Sequence, residues 1–377
     1  MEEYFSEFPP ILKNTEIPLE ESVIGSHMYH YAQSIGRTNG VKKCLISSMK
    51  GENLVILTTL FQKYMKMGLI CTSIEWVVEY FGKSVFQWFT NKVADDRRLA
   101  DFDPDLGIIG ESSKTSGNAS YGYCCINKMK HNTVKFSSQN DVSRNVRDPY
   151  FKSMEQLNGQ IYEIIKGKRK VIQDTPIQVA IGVYSLAKLN LLEFWEFLKN
   201  HLDGKLYTLM ETDTDSLYLA IARSSLDDCV LPEKLENWRK NKSKFFVSDS
   251  QEPILFHGRT ITKQQYDKRT PGLYKLEFSG SGMVALNSKV FHIWGKTPEG
   301  KDIFKTSAKG VQERNELIRE NFMSVLEERK LYEVENAGFI KEGTRTFTYT
   351  QTKTGLNYFY CKRVVLENGI DTTHLKI

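Results

Sequence analysis

Two periods of hydrophobic and polar residues divide this chain. In residues 53–68, NLVILTTLFQKYMKMG, Leu54, Leu57, Leu60, Phe61, Tyr64 and Met65 recur at helical spacing and Gly68 is a stop, which predicts a helix. LICTSIEWVVEYFG (69–82) alternates and is β-branched, which predicts a strand. Helices are predicted over 84–101, before Pro104, and from about Leu106 to Tyr121. Pro176 suits the first turn of a long helix, PIQVAIGVYSLAKLNLLEFWEFLKNH, apolar enough to lie against a sheet. Asp203-Gly204 then turns the chain into KLYTLME, and SLYLAIA follows two aspartates. Strand, acidic turn and strand predict a hairpin with Asp213 and Asp215 at its tip.

Elsewhere the pattern is shorter in range. Residues 1–40 carry loop signals (Pro9, Pro10, Pro18, Gly25, Gly36, Gly40), and KCLISSM reads as a short strand. Residues 123–175 are mixed, polar and β-rich with loops. GLYKLEF, MVALNSKVFHIWG and IFKTSAKG read as strands, ERNELIRENFMSVLEERK as a helix, and RTFTYTQTKTGLNYFYCKRVVL as a closing hairpin. The fold class this predicts is α+β.

Two carboxylates in the largely apolar run LYTLMETDTDSLYLAIA need a reason. Residues at i and i+2 share a strand face, and like charges so close repel unless a cation or solvent lies between them. An exposed turn satisfies this, since Asp, Thr and Ser suit turns; so does a divalent cation. A calcium loop does not fit, because the sixth position from Asp213 is Tyr218 and the twelfth is Ser224.

Composition narrows the setting. The 377 residues are 40% hydrophobic and 26% charged, ordinary values for a soluble protein of two or three subdomains. The net charge of +5 is compatible with an anionic partner without requiring one. Six cysteines form neither a CxxC pair nor a zinc-ligand spacing, which suits free thiols in a reducing compartment. The start, MEEYFSEFPP, lacks the apolar core of a signal peptide, and no apolar run approaches the ~20 residues that span a bilayer. The expected setting is nuclear or cytoplasmic, with no membrane partner.

Three stretches call for a common explanation: DTDS, KTSGNASYG (114–122), and the basic strand pair SKVF and KTSAK. A nucleoside triphosphate needs cations at its phosphates. Clustered carboxylates can hold Mg²⁺, and a helical Lys adds charge. Lys114, Asn118 and Tyr121 sit at i, i+4 and i+7 and share a helix face. Taken alone, the same helix is satisfied by a solvated Lys and a core Tyr.

KTSGNASYG resembles the fingers motif K-x-x-x-N-S-x-Y-G of family B DNA polymerases, and ETDTDS resembles their palm motif. Order and separation match from about Lys42 to the C-terminus. NSKVFHIW with IFKTSAKGV resembles the palm–thumb passage of the protein-primed branch, which includes polymerases of self-synthesising transposons and related viruses of invertebrates. The Lys-x-Tyr of that branch reads Lys289-x-Phe291 here.

The resemblance implies a right-hand architecture: a partial palm with an antiparallel sheet, helical fingers and a small β-rich thumb. Its divisions are an N-terminal segment (1–40), insertion-like regions (41–85 and 123–175), fingers (86–122), palm (176–288), and thumb with a C-terminal hairpin (289–377). It implies nucleotidyl transfer from a dNTP to a primer 3′-OH on primer–template DNA with Mg²⁺ or Mn²⁺, and in this branch a terminal priming protein. Asp215 would ligate metal and Asp213 would be the neighbouring acid. Lys114 would hold the triphosphate, Asn118 would brace the fingers, and Tyr121 would pack beneath the nascent pair. Gly122 would let the chain pass close to DNA. Arg97 or Arg98 would supply a second phosphate contact, and Lys289, Phe291, Lys305 and Lys309 would grip the primer–template.

Ala119 replaces the usual Ser. More consequentially, the first palm motif, D-x-x-S-L-Y-P, has no counterpart in residues 1–113, and the preceding exonuclease is missing too. The expectation is therefore a C-terminal polymerase portion, active poorly or not at all by itself. Its alternatives are a catalytically dead DNA- or nucleotide-binding remnant and, more distantly, an aspartyl-phosphate phosphatase, disfavoured by Leu217 where Thr or Val belongs.

Overall fold

The computed structural model describes residues 5–37, 41–213, 215–312, 315–342 and 345–377. Gly40, Thr214 of the D-T-D-S run, and Glu313 and Arg314 at the start of the last expected helix lie outside these, as do the first four residues of the chain. The protein is mixed α+β, with several small antiparallel sheets. It divides into two compact units: residues 1–115, 181–332 and 354–377 form the first, and residues 116–180 and 333–353 the second.

The core of the first unit is built on the helix Ile177–His201. Leu191, Leu192, Phe194, Trp195 and Leu198 recur every three to four residues and are buried. The strands of the acidic hairpin pack Tyr207, Leu209, Leu217 and Leu219 into this cluster. The Phe194 ring stacks on Tyr274 at 3.9 Å, and Phe197 on Trp238 at 4.9 Å. Contrary to the sequence expectation, this helix has the length and mean hydropathy of a membrane span. Its second half is instead the centre of the core.

The helix expected over 53–68 is shorter, Thr58–Lys66, and buries Leu60 and Tyr64. The next two run over Gln87–Ala100 and Gly107–Cys124, close to expectation. Residues 69–82 are not a strand: they have no regular structure, and all but the half-buried Leu69 are exposed. A β-branched alternating run becomes a strand only with a partner to satisfy its backbone, and none pairs with it. Residues 272–278 likewise give only a single bridge, Phe246 to Tyr274, because Tyr274 serves the core through its ring.

The loop signals of residues 1–40 hid an eight-residue strand, Ile11–Pro18, antiparallel to Val41–Ser48, and helices Glu21–Ile24 and Ser26–Ser34. Pro18 stands at the strand's end, where a missing N–H costs least. Gly282–Asn287, Val290–Lys296 and Asp302–Ala308 form a three-stranded meander under the helix Arg319–Glu328. Phe322 and Val325 of that helix are buried. The closing hairpin differs from expectation. Arg345–Leu356 pairs back with Tyr332–Glu342, while 357–363 is irregular and buries Tyr358, Phe359 and Cys361.

In the second unit, Thr133–Ser138 and Phe151–Gln156 flank Ile161–Lys166 in an antiparallel sheet beside the helix Gln139–Val146.

Candidate active site

The acidic hairpin pairs Tyr207–Asp213 with Ser216–Ile221, closing on Asp213 opposite Ser216. The Asp215 N–H donates to the Asp213 carbonyl at 2.5 Å, which draws the turn tight. A bulge between Leu209 and Glu211 sets the register, leaving Glu211 opposite Tyr218. Glu211 and Asp213 therefore lie on one strand face.

A second hairpin meets that face. Asn287 pairs with Val290, so Ser288-Lys289 is a two-residue turn, and Lys289 takes the left-handed φ of 62°. The Lys289 N–H donates to Glu211 Oε1 at 2.8 Å, and its Nζ lies 3.2 Å from Asp213. Glu211 Oε2 is buried with no hydrogen-bond partner among the described residues. Burial pushes the Glu211 carboxyl up to about 7. The Asp213 charge adds to the rise, while the Lys289 N–H and the Lys362 and Lys289 ammonium groups oppose it.

Tyr218 is at the centre of the negative field. Burial pushes its phenol up to about 12, with Glu211, Asp213, Glu277 and Asp215 all contributing. Its ring lies 4.9 Å from that of Phe291. Phe291 is only 4% exposed, so the ring expected on DNA is a core contact joining the two hairpins. Cations surround the group. Lys305 and Lys275 pair with Glu277 at 3.1 and 3.2 Å, and Lys362 Nζ donates to Ser288 Oγ at 3.0 Å. Lys309 is exposed, and its N–H donates to the Lys289 carbonyl at 3.2 Å. Asp215 is exposed, and its carboxylate makes no hydrogen bond or ion pair among the described residues.

The fingers-like residues divide. Lys114 is exposed and pairs with Glu111 at 3.2 Å; it makes no direct contact with Asp215. A run of charge interactions connects them: Glu111 acts on Arg97 and Arg269, Arg269 on Glu277, and Glu277 and Asp215 on Tyr218. Along this run is a cleft of about 460 Å³ lined by Asp101, Phe102, Lys268, Arg269, Lys275 and Glu277. Arg97 is half-buried and has no ion pair among the described residues. Burial and the Arg269 guanidinium hold its pKa below the usual arginine value.

Arg98 corrects the sequence reading. It is 5% exposed, pairs with Asp95 at 2.7 Å, donates to the Tyr266 carbonyl and Thr270, and lies 3.8 Å above the Tyr266 ring. Its donors are committed inside the fold, leaving Arg97 as the one of the pair with a guanidinium to offer. Asn118, Tyr121 and Gly122 belong to the second unit. Asn118 and Gly122 are exposed, and Tyr121 is half-buried.

The fit to a divalent cation is partial. Mg²⁺ takes one or two carboxylates and fills its shell with water and substrate oxygens. Asp215, unpaired, and Asp213, shared with Lys289, can supply those two ligands. Among the described residues, no group of three His, Cys, Asp or Glu is arranged to hold an ion. Sequence reasoning passed over Glu211, although its place two residues before Asp213 put it on the same face. Glu277, Arg269 and Lys362 carried no local signal; only the folded chain brings them to the hairpin. Comparisons with protein-family models, with curated proteins and with solved structures returned no match.

Proposed function

We propose that this chain is part of a template-directed DNA polymerase of family B, of the protein-primed branch, and that its acidic hairpin is the palm side of a nucleotidyl-transfer site. The observation that carries the reading is the meeting of the Asp213/Asp215 turn with the Lys289 turn, two motifs about 75 residues apart that the resemblance assigns to one site. Lys289, Lys305 and Lys309 offer positive charge to a phosphate backbone, and Arg97 and Lys114 to a triphosphate. Asp215, with Asp213, is the acid that would hold Mg²⁺ or Mn²⁺. A bound ion supplies charge neutralisation at the phosphates and a more acidic primer hydroxyl.

A second reading, a DNA-binding remnant without catalysis, is favoured by the pairing of Asp213 with Lys289, which commits one of the two acids to a cation of the chain itself. The two readings share DNA binding and part at chemistry. Anisotropy with labelled primer–template is expected to show salt-sensitive binding that Lys289→Ala with Lys309→Ala weakens. No binding at low salt sinks both. Primer extension with Mg²⁺ or Mn²⁺ separates them: weak extension lost in Asp215→Ala favours the polymerase portion, and none at any enzyme concentration favours the remnant.

A further inference from the structure

The second unit contains a cleft of about 730 Å³, lined by residues other than those of the acidic hairpin. Tyr123, Ile126, His131, Lys168, Lys170 and Ile172 line it, together with Lys128 and Arg169. Apart from Lys128, its Lys and Arg residues are Lys168, Arg169 and Lys170, which stand just past the end of the central strand Ile161–Lys166.

Its charge is not balanced internally. Between Ser116 and Ala180 there are ten Lys and Arg against five Asp and Glu, an excess equal to the net +5 of the whole chain. Two of the lining cations already have anions: Lys128 pairs with Asp174, and Arg169 lies 3.1 Å from Asp148. Asp148 is also held by Lys166 at 3.1 Å, which uses up the nearest spare carboxylate. Lys168 and Lys170 have no ion pair or hydrogen bond among the described residues. Beside them Tyr123 is 62% exposed and Ile172 61% exposed.

Unpaired cations tracking a groove, with an open aromatic face beside them, are the recurring means of holding single strands. The cations meet phosphates without reading sequence, and an unstacked base covers the ring. The cleft is too small for a duplex, whose bases are already stacked and turned inward, and large enough for one or two nucleotides.

We propose that this cleft binds single-stranded nucleic acid, with Lys168 and Lys170 on the phosphates and Tyr123 stacked on a base. This goes beyond the polymerase reading and does not rest on it.

The test uses the full chain, a fluorescent oligo-dT and anisotropy across a salt series, with no nucleotide present. Lys168→Glu with Lys170→Glu is expected to weaken binding at least about tenfold and, as Lys168→Gln with Lys170→Gln, to lower the log–log salt slope by about 1.4. Tyr123→Ala is expected to weaken it about fivefold or more. Lys240→Glu with Lys244→Glu, the same charge change at exposed lysines of the first unit, is expected to change it less than about twofold. Equal losses from both charge-reversal pairs would overturn the proposal, since bulk charge would then be enough. A duplex of the same length binding as tightly, or an unaffected Tyr123→Ala, would overturn the single-strand assignment. Should the cleft variants unfold, acetylation of the unaltered protein decides: oligo-dT must protect Lys168 and Lys170, and unprotected lysines overturn the proposal.

Discussion

Lys289 grips the strand of Glu211 and Asp213 with both ends of its structure: its backbone N–H reaches Glu211 Oε1 at 2.8 Å and its ammonium lies 3.2 Å from Asp213. A lysine with a left-handed φ costs about 1 kcal/mol relative to glycine there. Here the two contacts with the acidic strand offset that cost.

Lys289→Gly and Lys289→Ala should therefore separate backbone from side chain. Both lose the Asp213 pair, but only glycine relieves the φ of 62°. Urea melts are expected to find Lys289→Gly more stable than Lys289→Ala by about 1 kcal/mol. Equal midpoints would mean that the turn changes conformation in the variants.

Glu211 predicts a pH dependence of defined sign. Its carboxyl is raised from 4.5 to about 7 in the folded state. Its contribution is thus fully present below pH 4.5 and is lost as pH rises through 7, because the unfolded chain ionises first. Glu211→Gln keeps a carbonyl acceptor for the Lys289 N–H without the charge. The stability difference between Glu211→Gln and the parent protein should grow in favour of Gln from pH 4.5 to about 7 and then level off. A difference that stays flat over this range would show that Glu211 ionises normally.

Lys188 predicts the opposite slope. Its Nζ is buried without a hydrogen-bond partner among the described residues, 4.0 Å above the Phe8 ring, and burial lowers its pKa from 10.5 to about 7. The unfolded chain holds the proton between pH 7 and 10.5 and the folded chain does not, so this group's contribution rises with pH across that window and is lost as pH falls to 7. Lys188→Met should stabilise the protein by on the order of 2 kcal/mol at pH 7, less at pH 10. Chemical denaturation at the two pH values checks it, and a variant less stable than the parent at pH 7 would contradict it.

Arg97 and Arg98 should part sharply. Arg98→Ala removes an ion pair, two hydrogen bonds and a cation–π contact from a buried site, and is expected to cost about 3 kcal/mol. Arg97→Ala, at a half-buried arginine without an ion pair among the described residues, is expected to change stability by less than about 0.5 kcal/mol and to weaken triphosphate binding. Thermal melts with and without a dNTP read both. Equal destabilisation by the two variants would remove Arg97 from the site.

The sequence by itself determined the parts whose stabilisation is local. The helix Ile177–His201 and the acidic hairpin were legible because their apolar periods are long and their turn residues specific. So were the Asp213/Asp215 tip and the Lys114, Asn118, Tyr121 spacing. Only the tertiary structure decided that residues 69–82 find no strand partner, that Ile11–Pro18 does find one, and that the Arg345–Leu356 strand pairs back with Tyr332–Glu342. It also committed Arg98 to Asp95 and Tyr266, turned Phe291 inward onto Tyr218, and brought Lys289 to Glu211 and Asp213. The physical reason is range. Helix period and turn chemistry act over a few residues, whereas the pairing of Ile11–Pro18 depends on a strand 23 to 37 positions away, and the meeting of two hairpins and the burial of a guanidinium on groups 76 to 172 positions away, which no local pattern encodes.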